Sequence, residues 1–309
     1  MTVWARDAAT LEAIRAGRPA PRLPGIALPP TIAATPGPAE ALGNAGTILV
    51  VVPARATGEV LERMAPHARD DAVWVMCSKG LAPTDAGPRL PHEIASEALG
   101  WARVGVLSGP SFAADVAAGL PTAVSVALPG GAEALARSLS SPALRCYATD
   151  DVAGVAWGGA LKNVVAIAAG IAVGRGLGAS AHAALVARGH AEMVRVATAM
   201  GAREGTLAGL SGLGDLVLTA SSVQSRNYAH GLALGRGEAR GEARREARGE
   251  VPPSATVEGV GTTATVAALA AERGIAAPLV DACHAILHGN ADIDATIAAL
   301  LERPVGTER

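Results

Sequence analysis

Aromatic side chains are nearly missing from this chain: four Trp, two Tyr and one Phe in 309 residues. Stacking platforms for nucleic-acid bases are therefore scarce, and a core must be built from Ala, Val, Leu and Ile. Neither sign of charge is in excess, with 26 Lys and Arg against 28 Asp and Glu and a net charge of -2. A dominant nucleic-acid footprint, which needs a basic surplus, is excluded. Cysteine is sparse. Cys77, Cys146 and Cys283 lie far apart and form no CxxC pair, which argues against a disulfide scaffold or a thiolate zinc cluster. There is no HExxH, and His284 and His288, near Cys283 and Asp281, supply too few ligands for a metal site. No uncharged run reaches the ~20 residues of a membrane span, since the nearest candidate carries Lys162 at its middle. No basic segment precedes an apolar one at the N-terminus. The expectation is a cytoplasmic protein with no stable membrane insertion.

What is present is apolar and patterned. Half of the residues are apolar and 17% are charged, which excludes disorder as the whole account. A prior of about 150 residues per domain predicts two domains, 1–150 and 151–309. In the first half, short branched-apolar runs at 2–4, 47–52, 72–77, 103–107, 122–128 and 144–147 alternate with helical stretches at 8–16, 57–65, 90–99 and 132–139. Continuously apolar strands between helices predict an α/β domain with a parallel sheet covered on both faces. Such sheets bind ligands beyond the strand C-termini, which directs attention to Pro53, Ser78-Lys79-Gly80 and Ser108-Gly109-Pro110. After Asp150 long Ala-rich helical segments follow, at 152–173, 182–200, 262–272 and 278–288. Small residues such as Gly154, Gly158, Gly159, Ala168 and Gly170 let helices approach closely. This half reads as an all-helical domain. The low-complexity stretch 235–250 alternates Arg and Glu and reads as an exposed helix or surface insert.

A few residues stand out chemically. Lys162 is the only charge between Val152 and Ile171. It either reaches the surface along its stem or serves as a general acid/base or anion-binding ammonium. Asn163 beside it offers an amide to a hydroxyl or carbonyl. Asp215, in SGLGDL, is either a helix cap or the carboxylate that pairs with Lys162. Ser225-Arg226-Asn227 is either a surface cluster or a phosphate grip. Lys79 and the Ser108–Ser111 segment sit at strand ends facing the expected crevice, Ser111 alternatively serving as a helix N-cap. Cys77 reads as a small buried hydrophobe.

Taken in order, VVVP at 50–53, SKGL at 78–81, SGPSFAADVAAGLPTA at 108–123, GGALKNVVAIAAG at 158–170, GLGDLVLT at 212–219, QSRN at 224–227 and VEG at 257–259 carry a family resemblance over nearly the whole chain. The sequence resembles the bacterial NAD(P)-dependent glycerol-3-phosphate dehydrogenases. The resemblance implies a Rossmann-like cofactor domain followed by a helical substrate domain. It implies reversible reduction of glycerone phosphate to sn-glycerol 3-phosphate, supplying phospholipid synthesis. Lys162 matches the proton-transfer residue. Lys79, Gly109, Ser111, Asp215, Ser225, Arg226 and Asn227 match the substrate site. Arg6, Lys79, Ala113, Arg226, Thr256 and Glu258 match cofactor contacts, Arg6 lying where a 2′-phosphate would suit an arginine. NAD or NADP is the implied cofactor, and a homodimer the family expectation.

The family carries a first strand and a GxGxxG turn, roughly 25 to 30 residues, ahead of the position of Val3 and Trp4. The expectation here is a start further upstream, the alternative being a truncated, inactive nucleotide-binding paralogue. The nearest rival enzyme is a 2-hydroxy acid or ketopantoate-type reductase, which also uses a helix lysine. GLGDL and SRN together favour a phosphate substrate.

Overall fold

The computed structural model describes residues 1–85, 87–238 and 257–302. The predicted charged insert falls largely outside the described residues, as does Thr256. The chain divides into two units, one made of Met1–Ser78 with Arg89–Val152, the other of Lys79–Pro88 with the chain from Ala153 onward.

The first unit contains β1 (Thr2–Trp4), α1 (Ala8–Arg15), β2 (Ala33–Thr35), α2 (Pro38–Leu42), β3 (Thr47–Val50) and α3 (Thr57–Met64). It continues with β4 (Val73–Met76), α4 (Pro91–Leu99), β5 (Val104–Ser108), α5 (Ala113–Ala117), β6 (Thr122–Ala127), α6 (Ala132–Leu139) and β7 (Leu144–Thr149). β1 and β2 form a two-stranded parallel sheet, and β3 to β7 a five-stranded sheet in chain order. β4 lies inside the larger sheet with Trp74, Val75 and Met76 all buried, which is why its sequence shows no polar alternation. Val75, Val126, Leu128, Leu135 and Ala136 form one core cluster, so the apolar stripe of α6 seals the sheet there.

The all-parallel expectation is corrected at one pairing. β6 runs antiparallel to β5, with Leu107 opposite Val126, while the other pairs are parallel. The chain between these two strands carries only the five-residue α5, in place of the longer helices that precede β4 and β5. β2 and α2 escaped the sequence reading because each is so short that no periodicity develops.

The second unit holds α7 (Val152–Gly174), α8 (Gly178–Ala199), α9 (Glu204–Leu207), α10 (Asp215–Ala220), α11 (Arg226–Gly235), α12 (Glu258–Glu272), α13 (Pro278–Leu287) and α14 (Ile293–Leu301). α7 is long and apolar enough to cross a membrane, yet 94% of its most apolar window is buried within the protein. A helix buried all round has no polar face to show, so its sequence reads as one apolar run. α8 is tied to α13 by Glu192, whose buried carboxylate accepts the Leu279 N–H at 2.8 Å and the Val280 N–H at 3.2 Å. Burial pushes this carboxyl above its ordinary range, against the lowering effect of those two donors.

α7 and α11 cross backbone to backbone. A Cβ on Gly231 would overlap the Ile167 carbonyl, and one on Gly174 would lie 2.5 Å from the Leu232 oxygen. Gly170 and Gly235 complete the crossing. Nothing flexible stands in the way, so an added methyl must push the helices apart. Gly231→Ala is expected to destabilise the protein by about 3 kcal/mol, checked by the shift in urea midpoint.

Candidate active site

The helical unit gathers its charged groups around one carboxylate. Asp215 opens α10, directly after a π-helical turn at Leu210–Gly214, and is 1% exposed. Its Oδ1 accepts from Lys162 Nζ at 2.6 Å and its Oδ2 from Lys79 Nζ at 2.7 Å. Asp215 is thus the first residue of its helix, and its side chain serves the two lysines.

Lys162 sits in the middle of α7 with only 7% of its side chain exposed. It does not reach the surface. Its ammonium also donates to Thr219 Oγ1 at 2.7 Å. An ammonium has three N–H donors, and among the described residues the carboxylate and the threonine take two, leaving one to offer a ligand. Burial, reinforced by the charge of Lys79, pulls Lys162 down from 10.5 to about 8, against the raising influence of Asp215 and Glu258. At neutral pH it remains charged, but it gives up a proton far more readily than a surface lysine.

An amide chain ties the surroundings together. Asn163 Nδ2 donates to the Lys79 carbonyl at 2.7 Å, and Asn163 Oδ1 accepts from Asn227 Nδ2 at 2.9 Å. Asn227 Oδ1 in turn accepts the Gly259 N–H at 3.0 Å. The Lys79 loop, α7, α11 and α12 are thereby held in one network. Glu258 places its carboxylate beside Gly80, where a Cβ would come within 3.3 Å of Oε2. Ser225 caps α11 by accepting the Tyr228 N–H at 3.3 Å, so its hydroxyl fixes the helix that begins with Arg226. Arg226 itself is exposed at the first helical position.

Lys79, Lys162, Asn163, Asp215, Asn227 and Glu258 are therefore brought together within the second unit. Arg6, Gly109, Ser111 and Ala113 belong to the first. Gly109 adopts φ 150° and packs against Val124, where a Cβ would lie 2.9 Å from Cα, so only glycine serves there. Ser111 does not cap α5, whose N-cap is Phe112; its hydroxyl donates to the Gly109 carbonyl at 3.0 Å. Arg6 follows β1 with 76% of its side chain exposed and Glu59 at 3.7 Å.

Two features of the site went unread in the sequence. Thr219 looks like any helical threonine, yet it stands four residues after Asp215 and so on the same helix face. The second is a plain count: of the 26 Lys and Arg residues only two are lysines, Lys79 and Lys162, and both meet on Asp215. A chain that uses Arg everywhere else keeps the compact, titratable cation at those two places.

A mostly parallel α/β sheet domain, followed by a helical unit built around a buried lysine–carboxylate cluster, fits the class of nucleotide-cofactor oxidoreductases. The comparisons narrow this class. Residues 1–134 match the family described as NAD-dependent glycerol-3-phosphate dehydrogenase N-terminus, and residues 151–298 its C-terminus. A glycerol-3-phosphate dehydrogenase [NAD(P)+] from Brucella canis is 48% identical over 309 residues, covering 99% of this chain and 91% of the relative. Its counterpart from Mesorhizobium japonicum is also 48% identical, covering 99% of this chain and 86% of that one. The solved glycerol-3-phosphate dehydrogenase of Coxiella burnetii superposes with a TM-score of 0.86 at 38% identity, covering 98% of this chain and 91% of the other. The chain belongs to the NAD(P)-dependent glycerol-3-phosphate dehydrogenase family.

Proposed function

We propose that this enzyme reduces glycerone phosphate to sn-glycerol 3-phosphate with NADH or NADPH, and that Lys162 delivers the proton. The observation that carries the reading is the buried Lys162 ammonium, held by Asp215 and Thr219 with one N–H to spare. When bound, the nicotinamide supplies the hydride. Lys162 meets the charge that develops on the carbonyl oxygen and transfers its proton there, and Asp215 keeps the ammonium aimed. Lys79 adds a second positive charge beside the reacting oxygen. Arg226, with Asn227, grips the substrate phosphate, a contact remote from the reacting carbon that helps to orient it. Gly109 and Ser111 complete the substrate site in this reading.

The first unit fits the cofactor on two counts. Arg6 faces Glu59 in an exposed ion pair of small worth and can turn to a 2′-phosphate. Ser108 Oγ, at the C-terminal end of β5, is buried and has no hydrogen-bond partner among the described residues, at the rim where such sheets receive ligands. Ala113, Glu258 and Thr256 are read as further cofactor contacts. Residues 1–150 act as the cofactor domain and 151–309 as the substrate domain. A cytoplasmic setting goes with a chain whose three cysteines lie far apart and form no CxxC pair. A homodimer is carried as the family expectation and is checked by sedimentation.

The deciding assay compares glycerone phosphate with carboxylate ketones under either cofactor. Turnover confined to glycerone phosphate supports the reading, and preference for a keto acid contradicts it. Arg226→Ala is expected to raise KM for glycerone phosphate about 100-fold, the loss of a charge-assisted phosphate contact. An unchanged kcat/KM removes Arg226 from the site. The pH profile follows from the donor. Ketone reduction needs the ammonium, so its rate falls as pH rises through about 8; alcohol oxidation needs the free amine and rises through the same range.

A further inference from the structure

The backbone around the lysine–carboxylate pair shows how their spacing is fixed. Gly158 and Lys162 are one turn apart on α7, so they share a face and stand ~6 Å apart along the axis. A Cβ on Gly158 would lie 2.6 Å from the Ser211 oxygen, 2.9 Å from its carbonyl carbon and 3.2 Å from Gly212 Cα. The turn that delivers Asp215 therefore rests directly on α7, one helical turn before the lysine. On its other side the turn is closed off as well, because a Cβ on Gly212 would overlap the Leu207 carbonyl of α9. All of these neighbours are backbone, and none can swing away as a side chain could. The π-helical turn is clamped between α7 and α9, and Asp215 is the residue that follows it.

We propose that Gly158 is a positioning residue: by letting the Ser211–Gly212 backbone rest on α7, it sets the distance at which the Asp215 carboxylate meets the Lys162 ammonium. The role rests on the reading of Lys162 as the proton donor. A methyl at 158 needs an ordinary contact of 3.4 Å where 2.6 Å is available, so the turn must move by about 0.8 Å. Carried to Asp215, that displacement stretches a 2.6 Å hydrogen bond to about 3.4 Å, the outer limit of such a bond. A misplacement of about 1 Å in a catalytic constellation costs up to about 100-fold in rate.

The two-lysine composition makes the test direct. Protein grown with [ε-13C]lysine gives one resonance from Lys79 and one from Lys162, and these are titrated without substrate or cofactor. Gly158→Ala is compared with Gly174→Ala. The latter brings a methyl equally close to a carbonyl oxygen, 2.5 Å from that of Leu232, but twelve residues beyond Lys162. In Gly158→Ala the Lys162 midpoint is expected to fall by about half a pH unit or more, since a more distant carboxylate favours the ammonium less. Its kcat is expected to fall about 10- to 100-fold. Gly174→Ala is expected to lose stability and leave the midpoint in place. A midpoint and kcat in Gly158→Ala that track those of Gly174→Ala overturn the assignment.

Asp215→Glu asks the same question with the glycines intact, and decides it if Gly158→Ala does not fold. With the turn clamped, the extra methylene has nowhere to retract, and kcat falls at least about tenfold. A kcat within about twofold of wild type, with an unmoved Lys162 midpoint, means that the turn yields, and overturns the proposal. The two readings fail separately. A wild type that does not reduce glycerone phosphate ends the functional reading, while the lysine titrations still decide what Gly158 does.

Discussion

Lys162→Ala is expected to lose about 10³-fold in kcat for glycerone phosphate reduction, with the fold retained. General acid catalysis contributes about 10² to 10⁴, and in the proposed reaction the same group also supplies the charge opposite the developing alkoxide. KM should change little, because the loss is felt where charge develops rather than where substrate is held. The fold should survive because removal of the lysine leaves Asp215 paired with Lys79 at 2.7 Å. Circular dichroism and the urea midpoint check the fold, and steady-state kinetics check the rate. A variant that keeps near-normal turnover removes Lys162 from the chemistry.

Asp215→Asn is expected to produce the second large effect, and to do so in stability as well as rate. The carboxylate is 1% exposed and stands between two ammonium groups. Its neutralisation leaves those two like charges facing an amide, one of them almost fully buried. Breaking a buried ion pair from one side costs about 3 to 5 kcal/mol. The loss should be read as a lower urea midpoint at neutral pH. It should shrink as pH rises, because Lys162 then sheds its charge and the unpaired ammonium disappears. The alkaline limb of ketone reduction should also move below about 8, since Asp215 is one of the groups that raise Lys162. Double substitution with Lys162→Met should recover much of the stability and none of the activity. That result would separate the electrostatic role of Asp215 from any role in packing.

The site was legible in the sequence wherever a residue contradicted its surroundings. Lys162 is a lone charge in an apolar helix, and burying it demanded a partner. Asp215 was the lone acid beside two glycines, and the structure joins the two at 2.6 Å. Thr219 contradicted nothing, since a threonine in a helix needs no special explanation, and so it was missed. Glu192 was missed for a related reason. Its three hydrogen bonds come from backbone N–H groups 87 and 88 residues away, and local pattern carries no trace of them.

The fold was legible by the same logic, apart from the direction of one strand. Buried strands and the buried helix α7 announce themselves as unbroken apolar runs. The reversal at β6 does not, because parallel and antiparallel neighbours in a buried sheet have the same composition. α11 left little trace in the sequence because its buried face, Tyr228, Gly231, Leu234 and Gly235, is half glycine and shows no continuous apolar stripe.

In the proposed reaction a proton passes from the Lys162 ammonium to the substrate oxygen. The most direct measurement is chemical rescue of Lys162→Ala by small primary alkylammonium ions, which can enter the space left by the side chain. Turnover should return saturably with amine concentration and should rise with the acidity of the ammonium across a series of similar volume. Rescue that ignores acidity, or a variant that no amine restores at any pH, would contradict a proton donor at this position.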